Sequence, residues 1–362
     1  MYLLRLLSPF VFAGMVLAQA VPGTSTEVPE IDQPISRVTV SNVVAPVLVT
    51  DRTGNSIIDG LQPAQFHLWD NNKEQNIQVD VSFEPISMVI AIEASARMDA
   101  ILRQVRHLGS LMPVLIGNQG EASVIAFDHR IRLMQDFTND PDKIKVAIDR
   151  INAGSSSSRM IDSVDRAVYM LRRRPPNNRK IILLISETRD QASEGKVKEA
   201  LQDAQLSNVL IYAVNVTQFA VRLTEKGQPP RPDPLPPTAY NLPMGVAPTP
   251  TSIANAYGVQ NQAQFAPLIK EIFTDVKRIF VDNPTEVFAR GTGGTEFSFV
   301  KEKAMEDAVQ RISQEIHSQY LISYKPNNAD EGGFHEIAVR AECSDCVART
   351  RPGYYIGGGK IQ

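Results

Sequence analysis

The sequence predicts an α/β fold: a doubly wound, mostly parallel sheet inserted into an antiparallel β-sandwich formed by the N- and C-terminal segments. Three observations predict it. Near both ends of the chain, apolar residues alternate with polar ones, the period of strands with one wet face. Between those ends stand four short, nearly all-apolar runs, as in strands buried on both faces. Helical patterns separate the runs, and strands alternating with helices build parallel sheets.

The chain opens with a basic start, Met1–Arg5, an apolar run, Leu6–Ala18, and the small-x-small triplet Ala18-Gln19-Ala20. This reads as a secretory signal peptide over 1–20, cleaved after Ala20. It is too short for a membrane span, and Pro9 interrupts it. The polar, proline-bearing stretch 21–36 reads as a disordered leader. The mature chain is therefore expected in the periplasm or outside the cell, with no later membrane span.

Residues 37–84 are expected to give the first part of the sandwich. Val38, Val40, Val44 and Leu48 share one parity, and Asp51-Arg-Thr-Gly54 follows as a turn. Phe66 and Leu68 alternate before Asp70-Asn-Asn72, and Ile77, Val79, Val81 and Phe83 alternate with Gln78, Asp80 and Ser82. Trp69, the only tryptophan, is expected in the sandwich core or at its edge.

The α/β domain is expected over 85–317. Its buried runs are Met88–Ile92, Ser123–Phe127, Ile181–Ile185 and Val209–Val214. Asp140-Pro141 supplies a cap and a first-turn proline for a helix over 141–151. Ile161, Val164, Val168 and Leu171 line one face of a helix within 159–174. The stretch 218–264 breaks the pattern; dense in proline, it is expected to be an extended loop insertion. A helical pattern resumes at 266–281. Gly291-Thr-Gly-Gly294 leads into a short strand at 295–299, and Met305, Val309, Ile312 and Ile316 stripe the next helix.

Residues 318–357 return to period two. Tyr320–Tyr324, His335–Arg340 and Val347–Ile356 read as three strands. Two separate small sheets at the two ends would bury little, so one sandwich made from both ends is the economical expectation. Cys343 and Cys346 are the only cysteines. A redox site would need a helix to begin there and zinc would need two further ligands, so a disulfide at a hairpin tip is expected.

Composition narrows the function classes. The 362 residues carry a net charge of −3, which sets up no field for nucleic acid or anionic lipid. His67, His107, His129, His317 and His335 fall in no metal-ligand motif, and no serine sits in a Gly-x-Ser-x-Gly elbow. Arg172-Arg-Arg174, Arg179 and Lys180 form a basic cluster suited to a helix C-terminus. The run Gly154-Ser155–Ser158 suits capping of the following helix better than an anion cradle, because it lacks the lysine and spacing of a P-loop.

In doubly wound sheets, ligands bind beyond the carboxyl ends of the strands. Three segments are expected to converge there: Ala91-Ile-Glu93-Ala-Ser95-Ala-Arg97-Met98, Gly154–Ser158 with Asp162, and Ser186-Glu187-Thr-Arg-Asp190. With these residues in hand, the chain resembles the von Willebrand factor type A (VWA) family, a Rossmann-like fold. It is similar in particular to the VWFA-related proteins typical of Acidobacteria. Val47-Leu-Val-Thr-Asp-Arg-Thr-Gly-Asn, Gly60-Leu-Gln-Pro-Ala-Gln-Phe-His-Leu-Trp-Asp, Ser318-Gln-Tyr-Leu-Ile-Ser-Tyr-Lys-Pro and Arg351-Pro-Gly-Tyr-Tyr carry that likeness. It covers roughly residues 36–357.

The resemblance implies an extracytoplasmic, non-enzymatic module that binds protein, with a metal-ion-dependent adhesion site. The family's Asp-x-Ser-x-Ser falls on Glu93, Ser95 and Arg97, its threonine on Ser158, and its later aspartate on Glu187. Mg²⁺ demands near-octahedral oxygen ligands at about 2.1 Å. Glu93 is one methylene longer than Asp, and Arg97 offers five donors and no acceptor. Three arrangements fit these departures. Arg97 replaces the cation by pairing with Glu93, Glu187 or both; or the site is vestigial; or Glu93, Ser95, Ser158 and Glu187 still hold Mg²⁺ or Mn²⁺. A structural envelope protein without a ligand and a metal-assisted hydrolase are the other classes. The hydrolase lacks a positioned base or nucleophile.

Overall fold

Alternation at the chain ends and solid apolar runs in the middle produce two kinds of sheet. The computed structural model describes residues 42–54, 56–80, 85–117, 119–216, 283–298 and 302–356, together with Ile269, Lys270, Ile272 and Phe273. Side chains of 302–305 are not described. The signal peptide, the 21–36 leader, the 218–264 insertion, most of the 266–281 helix, and Val38, Val40, Val81 and Phe83 lie outside these residues. All described residues belong to one unit, Arg37–Gln362.

The sandwich draws each of its sheets from both chain ends. One sheet has the order β13-β1-β11-β4, from β1 (Val43–Asp51), β4 (Ile77–Asp80), β11 (Tyr320–Tyr324) and β13 (Cys346–Arg349). The other has the order β14-β12-β2-β3, from β2 (Phe66–Asp70), β3 (Lys73–Glu74), β12 (Gly333–Ala341) and β14 (Gly353–Ile356). Asn71 and Asn72 adopt φ of 47° and 63°, the left-handed turn that closes β2 onto β3. Val43, Ala45, Val47 and Val49 meet Phe66, Leu68, Tyr320, Ile322 and Tyr324 in the core.

Four expectations for the sandwich need correction. The core takes the odd residues of β1, not Val44 and Leu48. Pro46 and Leu48 are buried on the opposite face, because that face is covered by the α/β domain rather than by water. Val347–Ile356 is two strands, since Pro352 lacks a ladder donor and the chain crosses between sheets at Thr350–Pro352. The Cys343–Cys346 disulfide forms, but not at a hairpin tip: β12 and β13 belong to different sheets, so it ties the corner between them. Trp69 lies outside the core, stacked on His67 on the outward face of β2.

The middle of the chain forms a six-stranded sheet of order β10-β9-β8-β5-β6-β7. The apolar runs become β5 (Ile86–Glu93), β6 (Glu121–Phe127), β8 (Arg179–Ser186) and β9 (Val209–Asn215), all mutually parallel. β10 (Glu296–Ser298) adds a parallel edge, and β7 (Ile131–Thr138) an antiparallel one. One face packs α1 (Asp99–His107), α2 (Met112–Ile116), α3 (Pro141–Asp149) and α7 (Glu302–His317); Val309, Ile312 and Ile316 form the α7 stripe. The other face packs α4 (Met160–Arg172), α5 (Val197–Leu206) and α6 (Pro284–Thr292). Asp140 caps α3 through Asp142 and Lys143 N–H. Gly293, at φ 96°, ends α6 in the left-handed conformation.

Candidate functional site

The chain's winding reverses between β5 and β8, and the candidate residues lie at that reversal. β5 and β8 are in register through Ile92 and Ile185, so Glu93 and Ser186 end adjacent strands and Glu187 follows directly. β6 and β7 lie to one side of the pair and β8 leads to β9 and β10 on the other. Open α/β sheets bind ligands in the crevice at such a switch point.

Backbone bonds stitch the third segment to the same edge. Gly154 N–H donates to Ala94 O and Ala96 N–H to Ser155 O, both at 2.8 Å. Gln191 and Ala192 N–H donate to Ser158 O at 3.1 and 3.0 Å. The 154–158 segment thus bridges the loops after β5 and β8. It does not cap α4 as expected: Arg159 is the cap residue, its side chain makes no cap, and the first-turn Asp162 N–H is taken by Ser193 Oγ at 3.1 Å.

Asp128, directly after β6, holds this stitch, and the sequence reading missed it. Its buried carboxylate accepts Arg130 N–H at 2.8 Å and Ser155 N–H at 3.4 Å, with His129 and Arg132 at 3.1 and 3.6 Å. A Cβ on Gly154 would fall 1.9 Å from Asp128 Oδ2, so only glycine fits there. An acid placed straight after a buried run, as at Glu93 and Glu187, was the available signal.

The side chains form a short chain of contacts. Glu93 is 1% exposed; its Oε2 accepts Ser186 Oγ–H at 2.7 Å and Glu187 N–H at 2.9 Å. Arg97 leaves the 3₁₀ turn Ala96–Met98, which buried Met98 anchors. Arg97 Nη1 donates to Glu187 Oε2 at 3.1 Å, with the arginine side chain 46% exposed and the glutamate 8%. Ser158 Oγ is buried without a hydrogen-bond partner, and Ser95 Oγ is buried beside the Glu93 carboxyl. Burial pushes the Glu93 carboxyl above its ordinary range. The Ser186 and Ser95 hydroxyls and Glu187 N–H pull it back, and the Glu187 charge adds to the rise.

The outer acids act on the loop rather than on the cleft. Asp162 accepts Glu194 N–H at 3.1 Å, Gly195 N–H at 2.9 Å and Arg159 Nε at 2.7 Å. Asp190 accepts Ser193 N–H at 3.3 Å. Asp165 is pushed up to about 6, by burial first and then by Asp203, Asp162 and Glu199. Among the described residues, no group of three or more His, Cys, Asp or Glu side chains is arranged to hold a metal.

A doubly wound sheet of this order, with polar side chains from three loops at its switch point, has the strand order and loop placement of a VWA-like fold. No protein-family model and no curated protein matches the chain. Among solved structures it is similar to the protein BatB from Bacteroides thetaiotaomicron, at 15% identity over 36% of this chain and 66% of that one, TM-score 0.30. It is also similar to the vWF domain of the type V pili tip protein Mfa5 from Porphyromonas gingivalis, at 17% identity over 29% and 38%, TM-score 0.24. An aerotolerance-related membrane protein from Bacteroides fragilis matches at 15% identity over 64% and 98%, TM-score 0.38. The matched regions span less than two thirds of the first two chains. The VWA-like fold rests on the strand order and loop placement.

Proposed function

We propose that this is an exported, non-enzymatic VWA-type module that binds another protein through the strand-end face around Glu93, Ser158 and Glu187. In this reading Arg97 stands where the family's cation would, and the site works without metal. The observation that carries it is the Arg97–Glu187 contact at 3.1 Å. Against a divalent cation stands the engagement of both carboxylates: the guanidinium takes an oxygen of Glu187, and two donors of this chain take an oxygen of Glu93. A fixed positive charge beside the cleft repels a dication and attracts an acidic group.

A second reading, a Mg²⁺ or Mn²⁺ site, draws on one observation: the buried Ser158 hydroxyl has no hydrogen-bond partner, and the Ser95 hydroxyl lies beside Glu93. It requires Arg97 to leave Glu187. Export is supported by the N-terminal signal-like sequence and by the disulfide. Among the described residues, no helix is long and apolar enough to cross a membrane.

Pull-downs from envelope extract test the binding reading. The parent chain is expected to retain a specific protein that a Glu93→Ala/Glu187→Ala double variant, folded by circular dichroism, loses. Equal retention by both would contradict it.

A further inference from the structure

The outward face of the sandwich carries a histidine set between two acids. His67 and Trp69 leave β2 on that face, with ring centroids 6.0 Å apart and planes 25° apart. His67 Nδ1 lies 3.0 Å from Glu74 Oε1 on β3, and Nε2 lies 3.2 Å from Glu342 Oε1, just past the end of β12. The imidazole thus bridges two pieces of chain far apart in sequence: the β2–β3 hairpin and the corner between β12 and β13.

An ionised carboxylate only accepts, and a neutral imidazole has a single N–H to give. Both contacts can therefore be hydrogen bonds only when the ring carries both protons. The Glu74 hydrogen bond raises the His67 pKa above its ordinary 6.5; partial burial pulls it down, and Glu342 lifts it again. The other charges nearby are Lys73 on β3, taken by Glu331 at 2.6 Å, and Arg52 and Asp345, which pair with each other at 3.2 Å by the corner. Arg340 stands opposite His67 in the β12–β2 ladder and shares its face. Asp70 leaves β2 on the other face, toward the core.

We propose that His67 is a proton-operated clip, which as imidazolium ties the β2–β3 hairpin to the β12–β13 corner and on losing its proton releases one of the two carboxylates. Two like charges then flank a neutral ring, and the corner loosens. Because the pKa is raised in the folded chain, the clip is fully closed below about 6.5, the unfolded value, and opens as pH rises through the folded value. The Glu342 amide senses the opening, since it donates to Gln65 O at 2.7 Å, directly before β2. The Trp69-bearing face of the sandwich is thus firm in mild acid and looser in mild alkali.

Trp69 is the chain's only tryptophan, so its emission follows the charge of the ring stacked on it. A pH titration of the full chain should show a one-proton transition with its midpoint above 6.5, lost in His67→Gln and moved down in both Glu74→Gln and Glu342→Gln. Above that midpoint, hydrogen exchange at the Glu342 amide, corrected for its intrinsic pH dependence, should lose roughly two- to fivefold in protection, as for loss of an exposed ion pair. The three side chains are 36%, 60% and 61% exposed, so the variants should fold; thermal melts check this. A transition that is absent in the parent, survives in His67→Gln, falls at or below 6.5, or stays in place in either glutamate variant overturns the proposal. So does unchanged protection of the Glu342 amide.

Discussion

At Glu93 one extra methylene lets the carboxylate lie against the end of β8, where Ser186 Oγ and Glu187 N–H hold it. Its raised pKa fixes a sign. The folded state binds the proton more tightly than the unfolded chain, so this contribution to stability is full below about 4.5 and is lost as pH rises through the folded value. Glu93→Gln keeps an acceptor and removes the charge; its melting temperature at neutral pH should equal or exceed the parent's and lose that pH dependence. Glu93→Ala strands the Glu187 N–H in a buried setting and should cost about 1–3 kcal/mol in denaturant unfolding. The five candidate residues were legible because each follows a solid apolar run or matches a motif position. Which oxygen Arg97 would meet was not legible, since that depends on the rotamer a half-exposed side chain takes.

Elements with a single clear period were the easiest to read from sequence. The four apolar runs became the central strands, and Asp140-Pro141 marked the start of α3. β7 escaped because register shifts near Val124 interrupt its pairing with β6, so its apolar residues keep no steady alternation. The 154–158 segment escaped for a different reason. Its serines suggested a cap, yet its role is to bridge two loops through backbone bonds, and Asp128 sets the spacing. Gly154→Ala should therefore force Asp128 aside and cost about 1–3 kcal/mol as an overpacking change. Chemical denaturation measures the loss, and a neutral result would mean that the segment is not held by this carboxylate.

Across the whole molecule the chain ends meet in one sandwich, and a buried polar group ties them together. Asp70, from the N-terminal half, contacts His335 Nδ1 at 2.7 Å and accepts Tyr354 and Tyr324 hydroxyls at 2.7 and 2.9 Å, with Asn328 Nδ2 at 3.1 Å. Burial pushes the Asp70 carboxyl up, but these partners outweigh it and leave it below its ordinary value. Its contribution is thus present above about 3.8 and is lost as pH falls through the folded value. Asp70→Asn should cost about 3–5 kcal/mol, as breaking a buried charged network does, and the gap from the parent should narrow in acid. Thermal melts across pH 3–7 check both. Alternation revealed that both ends were β-structure. It could not reveal that the outer face of β1 is covered, because burial there comes from the inserted domain and not from the sandwich.

On the proposed reading a guanidinium replaces a metal at the strand-end site, and Mn²⁺ titration calorimetry of the purified chain checks this. No stoichiometric binding by the parent is expected, and a gain of binding in Arg97→Ser, which restores a hydroxyl and frees Glu187. Tight one-to-one Mn²⁺ binding by the parent, abolished in Glu93→Ala, would contradict it.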